Sequence, residues 1–155
     1  MSAGASDELL AAIQRLGRLM GSRQVSSRIA EAAGAELGQQ GVQILRELRR
    51  QGERPVAELA RSAHMDVAAV SRQLPVLESA GLVRRSPSPV DARVALVALT
   101  PAGRRQAERI HEVGLRHLDA SLDGWAAGDV DRLASLLGRL LDDLQRTAIT
   151  PPEPG

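Results

Sequence analysis

Residues 55–103 read PVAELARSAHMDVAAVSRQLPVLESAGLVRRSPSPVDARVALVALTPAG. Pro55 suits the first turn of a short helix reaching Ser62, where its fixed φ and missing N–H cost nothing. His64 and Met65 form a tight connection. Asp66 is placed to cap a second helix from Val67 to Ala80, and Gly81 is its natural stop. Leu82–Ser86 and Arg93–Leu99 read as two strands, with Pro87, Pro89 and Asp91 marking the turn between them. Thr100 then caps a further helix that has Pro101 in its first position. A short helix bracing a second one is helix-turn-helix geometry, and the second helix has the width to enter a major groove. On that helix Val67, Val70, Leu74 and Leu77 are expected to point inward, leaving Ala68, Ala69, Ser71, Arg72 and Gln73 outward or sideways. Arg72 can donate two parallel hydrogen bonds to guanine. Gln73 can both donate and accept at adenine, and Ser71 with the helix N-terminus suits phosphate. Pro75 lies within this helix and lacks the N–H that would bond to the Ser71 carbonyl, so a bend or loosened turn is expected.

Working outward, Ser6 can cap a first helix on which Leu9, Ile13, Leu16 and Met20 share one face. Residues 21–41 are rich in Ala, Ser and Gly and read as a less regular helix or a bend. A helix over Gly38–Arg50 turns Val42, Leu45 and Leu48 inward, and Gly52 ends it. Past the strands, a long helix reaches Leu122 and carries Ile110, Val113, Leu118 and Leu122. Gly124 and Gly128 bracket a corner that Trp125 is expected to plug. From Asp129 onward, Val130, Leu133, Leu137, Leu140 and Leu144 keep alternating helical spacing, widened by Leu136 and Leu141 into a coiled-coil-like seam. Pro151, Pro152 and Pro154 end ordered structure.

Composition narrows the function. The chain has 155 residues, 43% hydrophobic and 25% charged, a globular composition with no apolar run of membrane-spanning length. Its first residues lack an export pattern. Cysteine is absent, which excludes disulfides, thiolate metal sites and thiol-based sensing and agrees with a reducing cytoplasm. All 20 basic residues are arginine, and Trp125 is the sole aromatic side chain apart from histidine, so the core must be aliphatic. Charge is segregated. Residues 1–45 balance four arginines with four acids, residues 46–109 set twelve arginines against seven acids, and residues 110–155 set four against eight. A basic middle suits a polyanion. His111 and His117 are six residues apart, which is not a chelating spacing. Asp142–Asp143 reads as a solvated face. Neither a Ser-His-Asp grouping nor a glycine-rich phosphate loop stands out, so the reading is a non-enzyme without cofactor or metal.

Pro55–Ala60, Val70-Ser-Arg72, Leu77-Glu78 and Gly81-Leu-Val-Arg-Arg85 resemble the winged-helix domain of bacterial regulators. Asp91-Ala-Arg93 followed by Leu99-Thr-Pro-Ala-Gly103 is similar to the wing and the following helix start of the multiple-antibiotic-resistance regulator (MarR) family. The resemblance implies a mainly α fold with a small β wing, a winged helix-turn-helix domain joined to long dimerisation helices. It divides the chain into residues 1–50 (N-terminal helices for dimerisation and support), 51–100 (DNA-binding winged helix), 101–148 (C-terminal dimerisation helices) and 149–155 (disordered tail).

The same resemblance implies a cytoplasmic, nucleoid-associated bacterial transcription factor. Such a protein is a homodimer and a repressor of a pseudo-palindromic operator in double-stranded DNA, released by a small-molecule effector. Leu9, Ile13 and Leu16 with Val130, Leu133, Leu137, Leu140 and Leu144 would form the dimer seam. Ala68, Ala69, Ser71, Arg72 and Gln73 fall where base and phosphate contacts are expected. Arg84 and Arg85 would meet phosphate, and Arg93 would reach the minor groove or pair with its own Asp91. Arg18, Arg46 or His111 could anchor an acidic effector. Three departures favour the alternative of a winged-helix protein-interaction module that has lost specific DNA binding. They are the Ala68–Ala69 pair, Pro75, and a wing tip without a basic residue.

Overall fold

The computed structural model describes residues 3–151. The elements in chain order are α1 (Ala3–Met20), α2 (Arg23–Ala32), α3 (Gln39–Gln51), β1 (Arg54–Pro55), α4 (Val56–Ser62), α5 (Val67–Ser79), β2 (Val83–Pro87), β3 (Ala95–Leu99), α6 (Pro101–Ser121) and α7 (Ala127–Arg146). The strands form an antiparallel sheet of order β1-β3-β2, with Val83 opposite Leu99 and Arg54 opposite Val97. This is the mainly helical winged helix-turn-helix fold expected from the sequence.

The core is aliphatic throughout. Val42, Ile44 and Leu45 of α3, Leu59 of α4, Val70, Leu74 and Leu77 of α5, Val97 of β3 and Ile110 of α6 are fully buried. Their spacing on α3 and α5 matches the helical repeat, so each helix turns one apolar face to the other. Glu47 and Gln106 are also buried, and both are satisfied: Glu47 accepts from Arg50, and Gln106 donates to the Ala33 carbonyl at 3.0 Å.

The Leu-Thr-x-x-Gly element has a physical explanation. Thr100 Oγ1 donates to the Gly81 carbonyl at 2.6 Å and accepts from the Gly103 N–H at 3.0 Å, capping α6 while tying it to the turn after α5. The first turn of α6 lies so close to Leu82 that a Cβ on Gly103 would stand 1.8 Å from the Leu82 carbonyl oxygen. No other residue type fits there without moving backbone.

Several expectations need correction. α1 begins at Ala3, so Ser6 lies within the helix and does not cap it. Residues 23–32 form a regular helix because Ile29 and Ala30 pack on the core and stabilise it despite weak propensity. Pro55 pairs with Leu96 in a short edge strand, where its missing N–H costs no ladder bond, and α4 starts one residue later. α5 runs through Pro75 without interruption; the ring sits on the exposed side, where water can satisfy the Ser71 carbonyl. Trp125, at the corner it was expected to plug, is half-exposed.

The described residues form two compact units, divided between Arg116 and His117. In the first, Leu9, Leu16, Leu19 and Met20 of α1 are exposed. In the second, α7 has no buried residue, and Leu133, Leu136, Leu137, Leu141 and Leu144 face solvent. Ile149 to Pro151 have no regular structure, and the rest of the expected tail, residues 152–155, lies outside the described residues. No helix among the described residues is long and apolar enough to cross a membrane.

Gly103→Ala should destabilise the fold by about 2–4 kcal/mol, because backbone and not a flexible side chain must yield. A thermal melt followed by circular dichroism measures this directly, and an unchanged midpoint would contradict the tight packing of α6 on Leu82.

Candidate nucleic-acid interface

α5 is braced on two sides. Ile44, Leu45 and Leu48 of α3 and Leu59 and Ala60 of α4 belong to the cluster that receives its apolar face. The turn between α4 and α5 is closed by the backbone: His64 N–H donates to Arg61 at 3.2 Å and Met65 N–H to Ala60 at 2.9 Å. His64 itself takes a left-handed φ of 51°. From α3, the Gln43 amide donates to the Ala63 carbonyl and clamps the turn.

This bracing decides which side chains of α5 face outward. Ala68, Ser71, Arg72, Pro75 and Val76 are exposed. Ala69 is not. At 6% exposure it faces a recess it shares with Gln39, Gln43, Met65 and Asp66, so it is removed from the expected contact surface. Gln73 follows one turn later on the same side and is half-buried. Val67, expected inward, is 50% exposed because it opens the helix beyond the reach of the core. The Arg72 guanidinium has no carboxylate within ion-pairing distance among the described residues and stands free on the outer face.

The wing sorts its arginines differently. Successive residues of a strand point to opposite faces. Arg85 turns towards α5, where Nε and Nη2 donate to both carboxylate oxygens of Glu78 at 3.0 and 2.6 Å. Arg84 turns the other way and meets Glu53 at 3.3 Å. It lines a separate groove of about 370 Å³ with Ala98, Arg104 and Glu108. The two arginines expected to act together therefore do not share a surface. Arg93 is exposed and lines a shallow groove of about 310 Å³ with Arg85, Ser86 and Pro87.

The ion pair expected between Arg93 and Asp91 does not form. Asp91 Oδ1 instead accepts from the Arg93 backbone N–H at 3.0 Å, an Asx turn that shapes the wing tip and leaves the guanidinium without a carboxylate partner among the described residues. Among the effector-anchor candidates, Arg18 is exposed, while Arg46 and His111 are half-buried, and burial pushes the Arg46 guanidinium below its usual range.

Sequence reasoning missed the role of Glu78. It lies seven residues before Arg85, across the turn that Gly81 makes, so only the folded turn brings them together. The fork hydrogen bond from Arg85 holds the Glu78 carboxyl below the usual carboxylate range and raises the guanidinium above its own.

Residues 39–95 match the MarR family model. A probable transcriptional regulator from Pseudomonas aeruginosa has the same fold at 28% identity. The alignment covers 86% of this chain and 98% of that one, with a TM-score of 0.64. Residues 39–95 are thus a MarR family match, and the fold is shared with MarR-family structures. A MarR-family transcriptional regulator from Silicibacter pomeroyi matches at 25% identity over 89% of this chain and 92% of its own, with a TM-score of 0.69. A MarR family protein from Bacillus stearothermophilus superposes with a TM-score of 0.80 at 19% identity, over 94% of this chain and 99% of that one. No curated protein matches the chain by sequence. The family match includes α3, the turn, α5 and the wing up to Ala95, the residues whose geometry is described above.

The Glu78–Arg85 pair carries a pH signature. Because the folded pKa of Glu78 is depressed, its contribution is present at neutral pH and is lost as pH falls through that lowered value. Glu78→Gln should melt at or slightly below wild type at pH 7. The gap should close on acidification, once the Glu78 carboxyl is protonated and both side chains are neutral. The pair is exposed, so the gap is small. A difference that grows on acidification would contradict the assignment.

Proposed function

We propose that this transcription regulator of the MarR family binds double-stranded DNA as a homodimer, inserting α5 of each subunit into the major groove of a pseudo-palindromic site. The observation that carries the reading is the Arg72 guanidinium, unpaired among the described residues, on the outward face of a braced helix. Arg84 and Arg85 on the wing are taken up by Glu53 and Glu78, whereas this fork is left for a planar acceptor pair such as guanine O6 and N7. Ser71 is positioned beside it for phosphate, Ala68 for a thymine methyl, and Arg93 on the wing for the minor groove. Gln73 can reach a base edge only from the side of the helix, Arg84 is turned away from α5, and Ala69 drops out.

Dimerisation is supported by the apolar stripes of α1 and α7, which a monomer leaves in water. Two-fold symmetry then sets half-sites about one helical turn apart. Repression follows where such a site overlaps a promoter. An effector acts by binding better to a dimer whose α5 helices are spaced differently from the DNA-competent one.

A second reading has its own observation. Val67, Pro75 and Val76 are exposed on α5, and Val76 is 55% exposed, an apolar surface suited to a protein partner. Selection of bound fragments from random duplex DNA separates the two. A palindromic consensus supports the DNA reading, and failure to bind any duplex at low salt defeats it.

Arg72→Ala should weaken specific binding by about 1–3 kcal/mol and relax the preference at a single base position per half-site. Gel-shift titration on the selected site reports both effects, and unchanged specificity would remove Arg72 from the reading role. Leu137→Glu should shift the protein to monomer by sedimentation and abolish tight operator binding while α5 itself is untouched.

A further inference from the structure

We propose that Glu78 competes with the DNA backbone for Arg85, and so sets how much positive charge the wing strand presents to a duplex. This rests on the DNA-binding reading above. Ser71, Pro75 and Glu78 recur at i, i+4 and i+7 and form one row along the flank of α5. Arg85 joins that row from β2 and lines the same shallow groove as Arg93. A phosphate approaching the flank of α5 therefore meets a guanidinium whose donors are already taken by a carboxylate.

The pair is open to exchange. Glu78 and Arg85 keep 29% and 43% of their side-chain exposure, so phosphate can replace the carboxylate without repacking. The wing does not need the pair to hold its place. β2 is registered against β3 over five residues, and Leu77 and Val83 on either side of the turn are buried. An exposed ion pair adds little to such an arrangement. What it does change is charge: each arginine that neutralises a phosphate releases counterions and steepens the salt dependence, and Glu78 withholds one such arginine. The Arg84–Glu53 pair has the same chemistry on the opposite face of the strand and serves as an internal control.

The test is fluorescence anisotropy of the full-length protein on a ~30-base-pair mixed-sequence duplex, long enough for two adjacent half-sites, across a salt series. Glu78→Gln should bind a few-fold more tightly at low salt, with the slope of log K against log salt steeper by about 0.9. Its advantage should shrink roughly threefold between about 50 and about 200 mM salt, the behaviour of one added phosphate contact. The gain should vanish in an Arg85→Ala background and be absent in Glu53→Gln. Glu78→Ala repeats the test with no side-chain acceptor, and matching melting curves confirm folding.

Weaker or unchanged binding by folded Glu78→Gln would overturn the proposal. So would a gain that persists without Arg85, or an equal gain in Glu53→Gln, since either marks a general effect of net charge. If wild type ignores the duplex at low salt, the DNA-binding reading fails first and this one falls with it.

Discussion

The structure turns on an aliphatic contact between two helices. Val70, Leu74 and Leu77 of α5 are sealed against the cluster that includes Ile44, Leu45 and Leu48 of α3. With no aromatic ring in this core, burial is distributed over many small side chains, and the fit depends on interdigitation. The contact also fixes the rotation of α5 about its axis. Each residue advances a helix by about 100°, so once three positions are buried, those on the far side must face water. Turning the helix by one position would bring Arg72 towards the core, and burying an unpaired guanidinium costs several kcal/mol. The apolar face of α5 thus determines, indirectly, which charged group is offered to a partner.

A second constraint orients the wing. Thr100 and Gly103 dock the first turn of α6 against Gly81 and Leu82, so the strand leaving α5 and the helix following β3 share one anchoring point. The hairpin between them is pinned at its base and open at its tip, where Asp91 supplies the turn. Sheet alternation then separates Arg84 from Arg85, though they are neighbours in sequence.

The arginines divide by what they touch. Arg49, Arg50, Arg84 and Arg85 spend their donors on Glu108, Glu47, Glu53 and Glu78, and each of these pairs lies wholly within the basic middle of the chain. These pairs leave the net excess of positive charge in that segment unchanged but decide which arginines carry it. Arg72 and Arg93 keep theirs. Arginine suits both duties because its planar fork matches a carboxylate, a phosphate or a guanine edge equally well.

The sequence alone determined the order of the elements around the turn, because caps, prolines and glycines act locally: Gly81 follows α5 and Thr100 caps α6, whereas Asp66 stands at the start of α5 without a side-chain capping hydrogen bond. It also determined the inward face of α5 at Val70, Leu74 and Leu77, because helical period is a local property. Arg72 was legible for the same reason. Other features were decided only by the tertiary structure. Ala69 is buried by the approach of α3, and residues 23–32 become a regular helix because the core receives Ile29 and Ala30. Pro55 becomes an edge strand because β3 is there to pair with it. Arg85 is held by Glu78 and Arg93 is left free, because ion pairing depends on where separate elements bring charges together, and no spacing within a single element encodes that.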